Sequence, residues 1–277
     1  NTRHIYGLIL TLFFIGTSIF LYRHWVLDVP LTDTETINSW MVESNLRFVA
    51  DNNTPVKASF NIPYLPPHYA ILDEYFVSRN YGVTTNLNGD NRETVWSIRR
   101  AHGTQSLYYR AIFRQAESND SLLRAPGAIK QQTLDESQRS AVDTISNQVR
   151  QSSADIKTFA QSTIKELNKH DGNAKLLTGN DFSDSRVIDA AILILNQSKI
   201  AAMPIKGLYL AQQNKAELKD YLAVYNGKNW IYINPRTGGA GLPKDFLIWQ
   251  YGNEPVFHVD GGKHPLFTIT VSPTPIN

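Results

Sequence analysis

The chain has no cysteine. Disulfides, thiolate-bound zinc and every mechanism built on a cysteine nucleophile are therefore excluded together. It also lacks an excess of charge of either sign. Its 27 Lys+Arg and 25 Asp+Glu leave a net charge of +2, and the basic residues are scattered rather than gathered on one segment. Nucleic acid is thus an unfavoured partner. No internal repeat and no low-complexity tract stands out. The glycine-rich run TGGAG at 237–241 lacks the spacing and the lysine of a phosphate-binding loop. The seven histidines include no i, i+4 pair, and His258-Val-Asp260 with His264 is the nearest approach to a metal-ligand cluster. Neither a metal nor a cofactor is expected.

What is present is enough apolar material, 42% of 277 residues, for one large or two modest cores. From Ile5 to Leu21 about 17 residues carry no charge, near the lower limit for crossing a hydrocarbon layer of roughly 30 Å. Tyr6, Tyr22 and Trp25 flank this stretch as interfacial aromatics would. It is read as a membrane anchor over residues 5–25, with a cleaved signal peptide and a buried core helix as its rivals. Arg3 and His4 on one side balance Arg23 and His24 on the other, so charge does not set the orientation.

A polar, acidic stalk is expected over 26–45, followed by an antiparallel β domain over 46–125. The segments KASFNIPYL, YFVSRNYGVTTNL, RETVWSIRRA and SLYYRAIFR have the alternation and β-branched content of strands, with turns at Asn88-Gly89 and His102-Gly103. A linker with Pro126-Gly127 leads to a polar helix from about Asp135. A second helix is capped near Ser153 and Asp155, with Ile156, Phe159, Ala160, Thr163, Ile164 and Leu167 on one stripe. A third begins near Ser183-Asp184 and is apolar nearly all round (VIDAAILILNQ), as a buried helix is. Strand-like segments return after Ile200, with a hairpin turn at Asn226-Gly227. The fold class is α+β, with a second domain over 130–277 in which helices pack on an antiparallel sheet.

The order of polar loop, buried helix, strand, aromatic hairpin and Asn-Pro over about 150–245 resembles the transglutaminase-like fold of papain-type architecture. In active members a cysteine opens the buried helix, a histidine begins a strand and an aspartate precedes a proline. By that resemblance the nucleophile's position falls at Asp184 or Ser185, the histidine's at about Lys219 and the aspartate's at Asn234. All three positions are degenerate, and no catalytic residue is expected. Tyr221 and Arg236 join Asp184, Ser185, Lys219 and Asn234 as the expected ligand-binding set.

Over nearly all of residues 5–277, strings such as IPYLPPHYAILDEYFVSRNYG and WSIRRAHGTQSLYYR strengthen the match. The chain resembles the bacterial family of inactive transglutaminases fused to seven transmembrane helices. That resemblance implies a pseudoenzyme in the inner membrane of Gram-negative bacteria, its domain facing the periplasm, with further membrane helices downstream. It also implies a peptide or cell-envelope ligand, and ATP-grasp ligase and pepsin-like protease partners in peptide modification.

Other functions fit the same residues. Ser185 with Lys219 as base would make a cryptic hydrolase, provided burial strips the lysine of its proton. A structural scaffold would need only an exposed apolar patch. Ser185 and Asp184 are equally consistent with a helix cap, and Lys219 with a solvated strand position. The cluster Trp96, Arg99, Arg100, Tyr108, Tyr109 and Arg110 fits either a carboxylate- or glycan-binding surface or the alternating faces of a sheet.

Overall fold

The computed structural model describes residues 6–7, 10–18, 39–116, 123–129 and 131–274. The chain divides into two compact units, Ser39–Thr274 and the pair of end segments Asn1–Asn38 and Pro275–Asn277. In the latter, residues 6–7 and 10–18 are helical, and Leu10, Leu12, Phe13 and Phe14 are exposed. Among the described residues no helix is long and apolar enough to cross a membrane. The rest of the expected anchor over 5–25, and residues 26–38 of the expected stalk, lie outside the described residues.

The larger unit begins with four strands, β1 (Ser39–Ile62), β2 (Tyr69–Val77), β3 (Gly82–Asn88) and β4 (Asn91–Gln115). Residues 39–45, expected in the stalk, are the start of β1. Four helices follow: α1 (Glu136–Gln151), α2 (Ile156–Leu167), α3 (Gly172–Thr178) and α4 (Asp184–Gln197). The chain then makes β5 (Ala202–Tyr209), β6 (Gln213–Ala216), β7 (Lys219–Tyr225), β8 (Trp230–Ile233), β9 (Phe246–Tyr251), β10 (Phe257–Asp260) and β11 (Gly262–Thr274). The arrangement is mixed α+β with antiparallel pairing throughout.

The long strands β1 and β4 pair from Ser39↔Arg114 to Ile62↔Arg92. Their register shifts between Ala50 and Val56, opposite Ala101 and Gly103. The expected turn at His102-Gly103 is therefore a bulge inside a continuous strand. Gly103 sits at φ +68°, a conformation open to glycine and costly for most other residues. On one side of the bulge the strand order is β2-β4-β1-β11-β6, and on the other β3 pairs with β4 and β10 with β1. Residues 213–216 and 257–274, expected in the domain over 130–277, thus hydrogen-bond into the first sheet.

Alternation decides what this sheet buries. Val42, Leu46 and Phe48 face inward while Glu43, Arg47 and Val49 face out. Phe60, Tyr109 and Trp249 meet edge to face at 5.8–6.2 Å in the resulting core.

The second sheet has the order β8-β7-β5-β9. Its Leu222, Val224 and Ile233 pack against α1, α2 and α4. The apolar helix α4 buries Val187, Ile188, Ala190, Ala191, Ile194 and Leu195, which explains its nearly unbroken apolar sequence. Strand β9 is buried at every position and joins the two sheets: Trp249 Nε1 donates to Asn61 O at 2.7 Å, and Asn61 Nδ2 donates to Gln250 Oε1 at 3.0 Å.

A candidate binding cleft at the start of α4

Asp184 is the first residue of α4, where a carboxylate is favoured by the positive end of the helix dipole. The cap residue before it, Ser183, makes no side-chain cap bond and instead donates its hydroxyl to Asp181 Oδ2 at 3.1 Å. Asp184 is held from the opposite side by Arg236, whose Nε lies 2.9 and 3.1 Å from the two carboxylate oxygens.

Arg236 belongs to the loop after β8, and local chemistry shapes that loop. Asn234 Oδ1 accepts from the backbone N–H groups of Arg236 (2.9 Å) and Thr237 (3.1 Å), the turn geometry that asparagine favours. Two side chains of α2 and its end fasten the loop from outside. Asn168 Nδ2 donates to Pro235 O at 2.7 Å, and Gln161 Nε2 donates to Gly238 O at 2.8 Å.

The other wall is β7 with β5. Tyr221 is buried, and its hydroxyl accepts from Asn234 Nδ2 at 3.1 Å and shares a hydrogen bond with Tyr209 at 3.2 Å. Burial first, and then the Tyr209 hydroxyl, push the Tyr221 phenol up to about 12. It is therefore a neutral donor–acceptor at any physiological pH. Lys219 opens β7 and donates to Glu217 Oε2 at 2.9 Å, while Asp220 pairs with Lys206 at 2.7 Å.

Asp184, Lys219, Tyr221, Asn234 and Arg236 line one open cavity of about 260 Å³. Five of the six residues expected to bind ligand are thus brought together. Ser185 is not among the lining residues; it is exposed, one step round the helix from Asp184. Tyr209, Asp220 and the supporting Asn168 and Gln161 were not anticipated. The only hint of the last two is a polar residue on or beside the otherwise apolar stripe of α2.

Chemically the cleft offers two carboxylates, two cations, an amide and two phenols, and none of the described histidines lines it. Lys219 is half exposed and paired with Glu217, and Ser185 lies outside the cleft, so the two are not brought together in it. Among the described residues no group of three His, Asp or Glu side chains is placed to hold a metal, and His258 is hydrogen-bonded to Asp260 at 3.0 Å. The Trp96–Arg110 cluster separates by strand parity. Trp96 and Tyr109 are in the core, while Tyr108 and Arg110 face outward.

Residues 22–181, more than half of the chain, match the family described as inactive transglutaminase fused to 7 transmembrane helices. The chain belongs to that family. As the family description states, it is an inactive transglutaminase, and the absence of any cysteine removes the thiolate that the reaction requires. The matched span covers β1–β4 and α1–α3 and stops just short of Asp184, so the cleft stands on its own geometry.

Among solved structures, the chain is similar to one described as "a Putative Cysteine Protease from Cytophaga hutchinsonii". The two share 12% identity over 87% of this chain and 92% of that one, with a TM-score of 0.56, a likeness of fold. A second, "a putative protease from Parabacteroides distasonis ATCC 8503", shares 7% identity over 68% of this chain and 42% of that one, with a TM-score of 0.17. No curated protein matches the chain in sequence.

Proposed function

We propose that the chain is a ligand-binding or sensing domain that has kept the cleft of a transglutaminase-like, papain-type fold and lost its chemistry. The observation that carries this reading is the convergence of Asp184, Lys219, Tyr221, Asn234 and Arg236 on one cavity. Asp184 at the helix start stands where the nucleophile would be, Lys219 on the adjacent strand where the histidine would be, and Asn234 before Pro235 where the aspartate would be.

A site with both signs of charge and neutral hydrogen-bonding groups suits a zwitterion such as a peptide or a small cell-envelope fragment. An ammonium group would meet Asp184 and Asp220, and a carboxylate Arg236 and Lys219. Residues 5–25 are the proposed anchor and 26–38 the stalk, with the unit Ser39–Thr274 held in the periplasm of a Gram-negative bacterium. Occupancy would be passed to downstream membrane helices, with an ATP-grasp ligase and a pepsin-like protease as the proposed partners in peptide modification.

The test is to screen the chain against a mixed peptide, amide and ester library, following both turnover and thermal stability. The expected result is no turnover, with a higher melting temperature in the presence of some peptides and loss of that stabilisation in Arg236→Glu. Turnover abolished by Ser185→Ala would overturn the reading in favour of a serine hydrolase.

A further inference from the structure

A second cavity, of about 560 Å³, lies on the outer face of the first sheet, away from the α4 cleft. Small-molecule sites typically span about 300–1,000 Å³. The strand register builds it. Tyr75 of β2 stands opposite Arg110 of β4, which stands opposite Glu43 of β1. In the next outward row Tyr108 stands opposite Asn45, which stands opposite Thr268 of β11. Two rungs therefore cross four strands, a reach of roughly 14 Å at the usual interstrand spacing.

The rungs combine exposed aromatic surface with unspent hydrogen-bonding capacity. Tyr75 and Tyr108 are each 43% exposed. The Arg110 guanidinium lies 4.5 Å over the Tyr75 ring, a cation–π contact that joins the two side chains on the floor. Glu43 faces it across the strand pair, yet none of the ion pairs among the described residues involves Glu43. Asn45 Oδ1 is buried and has no hydrogen-bond partner. A buried acceptor left open costs about 1–3 kcal/mol, which a ligand hydroxyl would offset once the Asn45 amide turns toward the groove.

The geometry points to an oligosaccharide as the occupant of this trough. A pyranose has flat C–H faces that cover an aromatic ring and a rim of hydroxyls that both donate and accept. Those hydroxyls match Glu43, Asn45, Thr268 and Arg110 in kind. A peptide strand is a poorer match. The backbone groups of β1 and β4 beneath the trough are already paired in the sheet, so a peptide could not recover its own backbone hydrogen bonds by strand addition there. The trough and the α4 cleft share no lining residue.

The experiment is isothermal titration of the 277-residue chain with chitotetraose, cellotetraose and maltotetraose, with tetra-alanine as the peptide probe. At least one tetrasaccharide is expected to bind. Tyr108→Ala and Asn45→Ala should each weaken it by about tenfold or more, and Arg236→Glu, in the other cleft, should leave it unchanged. Circular dichroism melts of the variants establish that they are folded. Absence of binding by all three sugars overturns the inference, as does sugar binding that survives both substitutions. Tetra-alanine binding abolished by Tyr108→Ala would reassign the trough to peptides.

Discussion

Asp184 and Ser185 are neighbours in sequence with different fates: a helix turns by about 100° per residue, so one side chain enters the cleft and the next meets solvent. The sequence alone left the pair undecided because a one-residue register is invisible without the helix start. Lys219, Tyr221, Asn234 and Arg236 were legible because each lies at or near the end of a clearly marked strand or turn. Tyr209 and Asn168 were not, since their roles depend on partners 12 or 67 residues away. Two outcomes belong at this scale. Tyr221→Phe removes the acceptor of Asn234 and should lower stability by about 1 kcal/mol in denaturant titration. Arg236→Ala should cost no more than about 1 kcal/mol, because the guanidinium is largely exposed, while peptide stabilisation of the fold falls sharply. An equal loss of stability and binding would mean that Arg236 is structural rather than a ligand contact.

At the scale of elements, helices were the easiest to read and short pieces the hardest. The stripes of α2 and α4 set their own boundaries, whereas α3 spans only Gly172–Thr178 and β6 only Gln213–Ala216, too short to display a period. His102-Gly103 had the composition of a turn, but long-range pairing with β1 drew it into a bulge. The start of α1 has a complete capping box, Asp135 with Gln138. Asp135→Ala should therefore cost about 1 kcal/mol. A melting temperature lower by roughly 2–4 °C would register that loss in a chain of this size. Gly207 in β5 is a sharper case. A Cβ there would lie 2.5 Å from the Leu247 carbonyl and 2.4 Å from the Phe246 ring. Gly207→Ala should cost about 1–3 kcal/mol or more, read by urea denaturation, and wild-type stability would show that β9 can move aside.

For the whole molecule, the feature least visible in the sequence is that both ends of the larger unit build one sheet. Strands β10 and β11 lie against β1, which precedes them by some two hundred residues, and no local pattern encodes that pairing. A chain truncated before Phe257 should lose its cooperative melt. A sharp transition in that truncation would show the helical layer to be independent. The buried phenols set the alkaline limit. Tyr69 and Tyr221 are both pushed up to about 12, chiefly by burial, from an ordinary value of 10.0. Since the unfolded chain ionises first, their contribution is intact below pH 10 and disappears as pH rises toward 12. Stability measured across that range should fall, and a flat profile would mean that these phenols titrate freely in the folded state. The same sheet also governs how the molecule bears load. Ser39 pairs with Thr274, so the unit's entry and exit points are adjacent on antiparallel neighbours. Tension applied through those two points pulls across the β1–β11 ladder and ruptures its bonds one after another, as a zipper opens, instead of shearing them all at once. Such a unit yields at low force, from its tethered corner inward.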